Sequence, residues 1–137
     1  MDSKPKEATK EHCAYCFDVL LAHLKGLPQP GYPPSLAQFE APLFVTWKKN
    51  GDLRGCIGTF QSSSISQSLP EFAITSAIND HRFPPIKEKE VQDLSCAVSF
   101  LVNFEKGKDA YDWEIGKHGI IIEFNGKFEN FVSILII

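Results

Sequence analysis

Residues 53–60 read Leu-Arg-Gly-Cys-Ile-Gly-Thr-Phe, with a guanidinium and a thiol two positions apart. In an extended chain, side chains alternate between faces. Arg54, Cys56, Gly58 and Phe60 are then expected on one face, and Leu53, Gly55, Ile57 and Thr59 on the other. A guanidinium beside a thiol favours the thiolate, the nucleophilic form. Gly55 and Gly58 remove side-chain bulk around Cys56, so another group can approach the backbone closely. That pattern suits an exposed nucleophilic or redox-active thiol. It equally suits a structural strand, because glycine marks bulges and cysteine is among the most buried residue types.

Three further segments carry reactive side chains. His118 sits between Gly116-Lys117 and Gly119, where it is either a base for Cys56 or an ordinary surface histidine in a turn. Asp80-His81-Arg82-Phe83-Pro84-Pro85 offers Arg82 as an anion binder. The alternative pairs Arg82 with a carboxylate such as Asp80 or Glu88 and packs Phe83 inward. Cys13-Ala14-Tyr15-Cys16 has the spacing of half a metal site or of a redox pair. No second half follows it, and nothing in the spacing of Cys96 or His12 requires their recruitment. A tetrahedral zinc site needs four converging donors, so no metal site is expected. The phosphate-loop, zinc-protease, serine-hydrolase and dinucleotide-binding motifs are all missing.

These residues need elements to hold them. Residues 8–25 form an amphipathic helix pattern, with Cys13, Phe17, Leu20, Leu21 and Leu24 as its apolar stripe and Gly26 as its stop. Five prolines in 27–42 predict an extended loop rather than a helix or a central strand. Residues 43–49 and 53–60 are strand-like and flank Asn50-Gly51, the signature of a tight hairpin. A polar loop over 61–66 leads to a helix from Leu69, capped by Ser68, with Pro70 in its first turn and Phe72, Ala73, Ala77 and Ile78 buried. Residues 87–93 suit a short charged turn, 95–103 a core strand and 118–124 another strand. Asn125-Gly126 is a further turn, with a last strand within 127–137. The strand–helix–strand stretch over 53–103 is long enough for a crossover. The expected class is α+β, helices packed on a mixed, mostly antiparallel sheet.

Composition bounds the function. The chain has 137 residues and a formal net charge of −3, enough for a single domain with a real core. The acidity disfavours nucleic acid as a partner. The charged N-terminus has no signal-peptide pattern, and no apolar run is long enough to span a bilayer. A soluble protein with four free thiols in the cytoplasm or nucleus is expected.

The octapeptide at 53–60 closely resembles the signature of the AMMECR family, named for the human AMME chromosomal region candidate protein. Residues 16–24 (CFDVLLAHL), 42–48 (PLFVTWK), 75–85 (TSAINDHRFPP) and 112–124 (DWEIGKHGIIIEF) are similar to that family in the same order. The resemblance runs from about 13 to 124. Arg54, Gly55, Cys56, Gly58 and Thr59 match one motif, Arg82 with Phe83, Pro84 and Pro85 a second, and Gly116, His118 and Gly119 a third. The family implies an intracellular α+β fold with a larger sheet-and-helix part and a smaller part beside it. It implies no defined reaction and no known cofactor. Bacterial and archaeal members travel with Memo-like and radical-SAM proteins, which favours redox-linked chemistry; vertebrate members look regulatory.

The closing residues, 125–137, diverge from that pattern and end in an apolar run. The expectation is one AMMECR-like domain, incomplete or altered at its C-terminus, with an exposed apolar patch. Two functions follow. One is a regulatory, protein-interaction module with a protein partner. The other is a cysteine-dependent enzyme or redox protein with Cys56 and His118 as catalytic residues. In either, Arg54, Arg82, Gly55, Gly58 and Thr59 are the candidate binding positions, and a small-molecule ligand is compatible with both.

Overall fold

The computed structural model describes residues 4–124 and 131–136. The chain forms two compact units, residues 1–100 and 101–137. Unit one is built from helix α1 (Lys10–Leu24), strands β1 (Glu40–Lys49) and β2 (Asp52–Ser64), helix α2 (Ile65–Ile78), a 3-10 turn at Glu88–Asp93 and strand β3 (Leu94–Phe100). Its sheet has the order β2-β1-β3, and both pairings are antiparallel. The outer strands β2 and β3 therefore run the same way on either side of β1. The connection through α2 crosses over β1 to join them, so the fold is α+β.

The β1–β2 hairpin turns where Asn50-Gly51 demands it. Both residues take positive φ, 50° and 87°, which the two-residue turn requires. Trp47, Val45 and Leu43 alternate along β1 and are fully buried, facing the helices. Phe17 of α1 meets Trp47 edge to face at 5.0 Å, and the Trp47 indole N–H donates to the Ala73 carbonyl of α2. From α1 come Cys16, Val19 and Leu20, and from α2 Ile65, Leu69 and Ala73, all with no exposed surface.

Several elements differ from expectation for physical reasons. The buried stripe of α1 is His12, Tyr15, Cys16, Val19, Leu20 and Ala22; Cys13 and Phe17 flank it. The shift arises because the 27–39 loop covers a second side, where Tyr15 donates to the Pro30 carbonyl and stacks edge to face on Tyr32. β1 begins at Glu40 and includes Pro42, although it is the central strand. The pairing with β2 skips from Ala41 to Leu43, and the pairing with β3 starts at Leu43. A proline without an N–H is tolerated there because no ladder bond is asked of it. β2 continues through the expected polar loop to Ser64, and α2 follows at once. Ser68 lies inside that helix and donates back to the Ser64 carbonyl.

In unit two, β4 (Glu105–Lys106), β5 (Ile120–Phe124) and β6 (Phe131–Ile136) form a second antiparallel sheet in the order β4-β6-β5. Ile120 pairs with Ile136 and Ile122 with Ile134. The Asn125-Gly126 turn and the side chains of the closing apolar run lie outside the described residues. No helix among the described residues is long and apolar enough to cross a membrane.

Candidate functional site around Cys56

Cys56 sits in the middle of β2, opposite Thr46 of β1. The Thr46 hydroxyl lies 3.1 Å from the Cys56 sulfur and donates to it. Sulfur, Thr46 and Phe44 share the sheet face turned away from the helices.

The main chain of Cys56 points outward from the sheet, and the end of α2 receives it. Asp80 Oδ2 accepts the Cys56 N–H at 3.0 Å. Arg82 donates to the Cys56 carbonyl at 3.2 Å. The two side chains also grip each other: the Arg82 guanidinium donates to Asp80 Oδ1 at 3.0 Å and to Oδ2 at 2.8 Å. Asp80 Oδ1 further accepts the Arg82 backbone N–H, the local turn that aspartate favours. The carboxylate–guanidinium pair thus occupies the place of a neighbouring strand and satisfies an edge residue's donor and acceptor. The Arg82 hydrogen bond holds the Asp80 carboxyl far below the usual carboxylate range. Burial opposes this, and the N–H groups of Cys56 and Arg82 add to it. Of the sequence alternatives for Arg82, the geometry is the Asp80 pair. The guanidinium also lies 5.4 Å from the centre of the half-buried Phe83 ring.

Arg54 is not on the Cys56 face. Thr46 pairs with Cys56 and Trp47 with Gly55, but Lys48 pairs with Leu53, so Arg54 is the extra residue of a β-bulge. The bulge breaks the alternation from which the Arg54–Cys56 pairing was expected. The Arg54 side chain instead donates to both oxygens of Glu90, at 3.1 and 3.3 Å, and to the Pro84 carbonyl. Glu90 also receives Lys49 at 3.0 Å and the Lys87 N–H. Burial alone would raise the Glu90 carboxyl, but these donors hold it down at about 2. The guanidinium next to Cys56 is therefore that of Arg82.

The glycines admit protein rather than ligand. A Cβ on Gly55 would stand 2.0 Å from the Ser76 carbonyl of α2. A Cβ on Gly58 would stand 2.1 Å from the Leu43 carbonyl and 2.5 Å from the Phe44 ring. Gly55 lets α2 lie directly on β2, and Gly58 lets Phe44 lie across the strand to meet Phe60 edge to face at 5.3 Å. The Thr59 hydroxyl accepts the Gln61 N–H within β2. His118 belongs to unit two, where its Nδ1 accepts the Glu114 N–H at 3.0 Å.

The other thiols form a group that sequence spacing did not reveal. Cys13 and Cys16 of α1 both interact with Cys96 of β3. Contact with Cys96 and burial push the Cys13 thiol far above the ordinary range. Contact with Cys13 lowers Cys96, but contact with Cys16 and burial outweigh it and push that thiol up as well. Thiols held protonated are poor nucleophiles. Among the described residues no group of three or more His, Cys, Asp or Glu is arranged to hold a metal ion.

Comparison with known proteins agrees with this architecture. The family model AMMECR1 matches residues 13–132. An uncharacterised protein of Arabidopsis thaliana is 48% identical over 122 residues, covering 85% of this chain and 56% of its own length. An uncharacterised protein of Schizosaccharomyces pombe is 38% identical over 120 residues, covering 84% of this chain and 62% of its own. The crystal structure of an uncharacterised protein from Pyrococcus horikoshii superposes with a TM-score of 0.72 at 25% identity, covering 84% of this chain and 64% of that one. The chain thus spans about three-fifths of the length of these three relatives. With the family model spanning most of the chain and a relative 48% identical over 85% of it, the chain belongs to the AMMECR1 family.

Proposed function

We propose that this domain is a non-catalytic protein-interaction module, acting in the cytoplasm or nucleus, whose recognition surface is the outer sheet face around Cys56. The observation that carries this reading is the aromatic pair Phe44–Phe60 beside Cys56: Phe60 is 61% exposed, and Leu53, on the same face by register, is 42% exposed. Exposed apolar side chains grouped on one face mark interaction sites more often than scattered ones do. The cations near the thiol are already engaged, Arg54 by Glu90 and Arg82 by Asp80 and the Cys56 carbonyl. The complementary partner is a protein offering an apolar side chain to the Phe44–Phe60 pair.

Thiol alkylation of the folded chain across a pH series, with Cys56→Ser as control, tests the non-catalytic half. Cys56 is expected to react no faster in mildly acidic buffer than a thiol in the urea-unfolded chain. Selective, fast modification of Cys56 in acid would overturn the reading in favour of a thiolate enzyme or redox protein. A photo-crosslinker placed at Phe60 and at Gln92 tests the surface half. Partner crosslinks are expected at Phe60 and not at Gln92, and equal crosslinking at both removes the proposed face.

A further inference from the structure

We propose that His12 is an acid-sensitive latch: protonation of its ring lifts the first turn of α1 from β3 and uncovers the outer edge of the sheet at Val98 together with the Cys13 and Cys96 thiols.

His12 is 2% exposed, yet it sits at the start of a helix. Its Nδ1 lies 3.0 Å from the Thr9 N–H and 2.9 Å from the Thr9 hydroxyl. The Thr9 N–H can only donate, so Nδ1 is the acceptor, the hydroxyl turns to donate to it as well, and the neutral ring carries its proton on Nε2. In this role His12 replaces the glutamate or glutamine that usually closes a capping box three residues into a helix. Nε2 is buried and has no hydrogen-bond partner. Beside the ring is Phe100 of β3, edge to face at 5.1 Å, and Phe39 also meets Phe100 edge to face at 5.1 Å.

The surroundings favour the neutral ring. Burial lowers the His12 pKa below the ordinary histidine value, and Glu11 opposes this in part. Glu11 is itself engaged by the Ser35 hydroxyl. From the N-terminal segment Lys6 lies over Phe39, and Lys4 donates to the Ser35 carbonyl. β3 contributes Phe100, an apolar neighbour. A second proton placed on Nδ1 removes the acceptor for the Thr9 N–H and leaves a charge in a buried, largely apolar setting, so the cap and the packing fail together.

The register shows what that turn covers. Cys56 directs its N–H and carbonyl away from β1, so its partner Thr46 directs its own toward β3. Ala97, opposite Thr46, then faces β1, and Val98 next to it faces outward. Cys13, one residue after His12, brings its thiol close to the Val98 main chain, which lowers the thiol's pKa slightly. Lifting the first turn therefore frees an edge amide and separates Cys13 from Cys96.

The sign follows from linkage. The open state has an ordinary histidine and binds the proton more tightly than the closed state does. Closure is fully stable above the ordinary value of 6.5 and weakens as pH falls below it, until the buried ring titrates as well. The open population rises by about tenfold for each unit by which the buried ring lies below the open one.

Hydrogen exchange of the full chain, expressed as protection factors at about pH 7.5 and about pH 5, reads this directly. Protection at Cys13 and Val98 is expected to fall in the wild type and to stay level in His12→Gln, where the glutamine keeps the cap but does not titrate. A parallel fall in both proteins, or no fall in the wild type, overturns the proposal. The ring signal of His12 in the wild-type NMR spectrum gives a second measurement independent of the variant. Titration below 6.5 with concurrent loss of Val98 protection is expected, and titration at or above 6.5 overturns it.

Discussion

Asp80 and Arg82 hold more of the Cys56 region than Cys56 itself does. Asp80 is 6% exposed and accepts the Cys56 N–H while bound to a guanidinium that stays largely in solvent. Removing the carboxylate leaves a part-buried N–H unpaired and lets Arg82 swing away, whereas removing the thiol leaves both backbone bonds intact. Asp80→Ala is expected to lower stability by about 2 kcal/mol, the cost of orphaning a buried donor, and Cys56→Ser by clearly less; urea unfolding of the two variants decides the order. The sequence made Cys56 conspicuous and Asp80 merely a possible partner for Arg82. A signal was present, since an aspartate two residues before an arginine at a helix end is poised to turn the chain back on itself. What it would then bind, a strand 24 residues earlier, is a tertiary fact that no local pattern carries.

Among the elements, the ones set by local chemistry were legible. Asn50-Gly51 located the hairpin, and the apolar period located α1 and β3 to within a few residues. The errors came where two elements share the work. The bulge that turns Arg54 away from Cys56 shows only in the pairing with β1, although the glycine beside it was a warning. The start of α2 was missed because Ser68 looked like a cap when Ser64 precedes the helix. Gly55 shows how tightly these elements are coupled: the α2 backbone lies where its side chain would be. Gly55→Ala is expected to cost about 3 kcal/mol, the upper end of ordinary overpacking penalties, and to shift α2. Thermal unfolding gives the loss, and chemical-shift changes confined to β2 and α2 give its site. An unperturbed melting temperature would show that the helix moves aside freely.

For the molecule as a whole, both helices, all three strands of the first sheet and the buried apolar side chains named among the described residues lie within residues 1–100. A chain ending after Phe100 is therefore expected to unfold in a single cooperative transition with its near-ultraviolet signal from Trp47 retained. A broad, non-cooperative melt would show that this core depends on the remaining residues. The α+β class and the order of every element but the two-residue β4 were readable from the sequence at this scale. The division into two units has no local mark, because no proline- or glycine-rich linker separates them at residue 100; only the family resemblance implied a larger and a smaller part.

The Asp80–Arg82 clamp has one more consequence. A strand whose outward amide and carbonyl are already spoken for cannot template another chain at that residue. Growth of this sheet from β2 by main-chain addition, whether into a partner complex, a swapped dimer or a fibril, is interrupted at Cys56 while this clamp holds. Binding to the closed form is left to side-chain shape, which one substitution at Phe60 can retune without touching the fold.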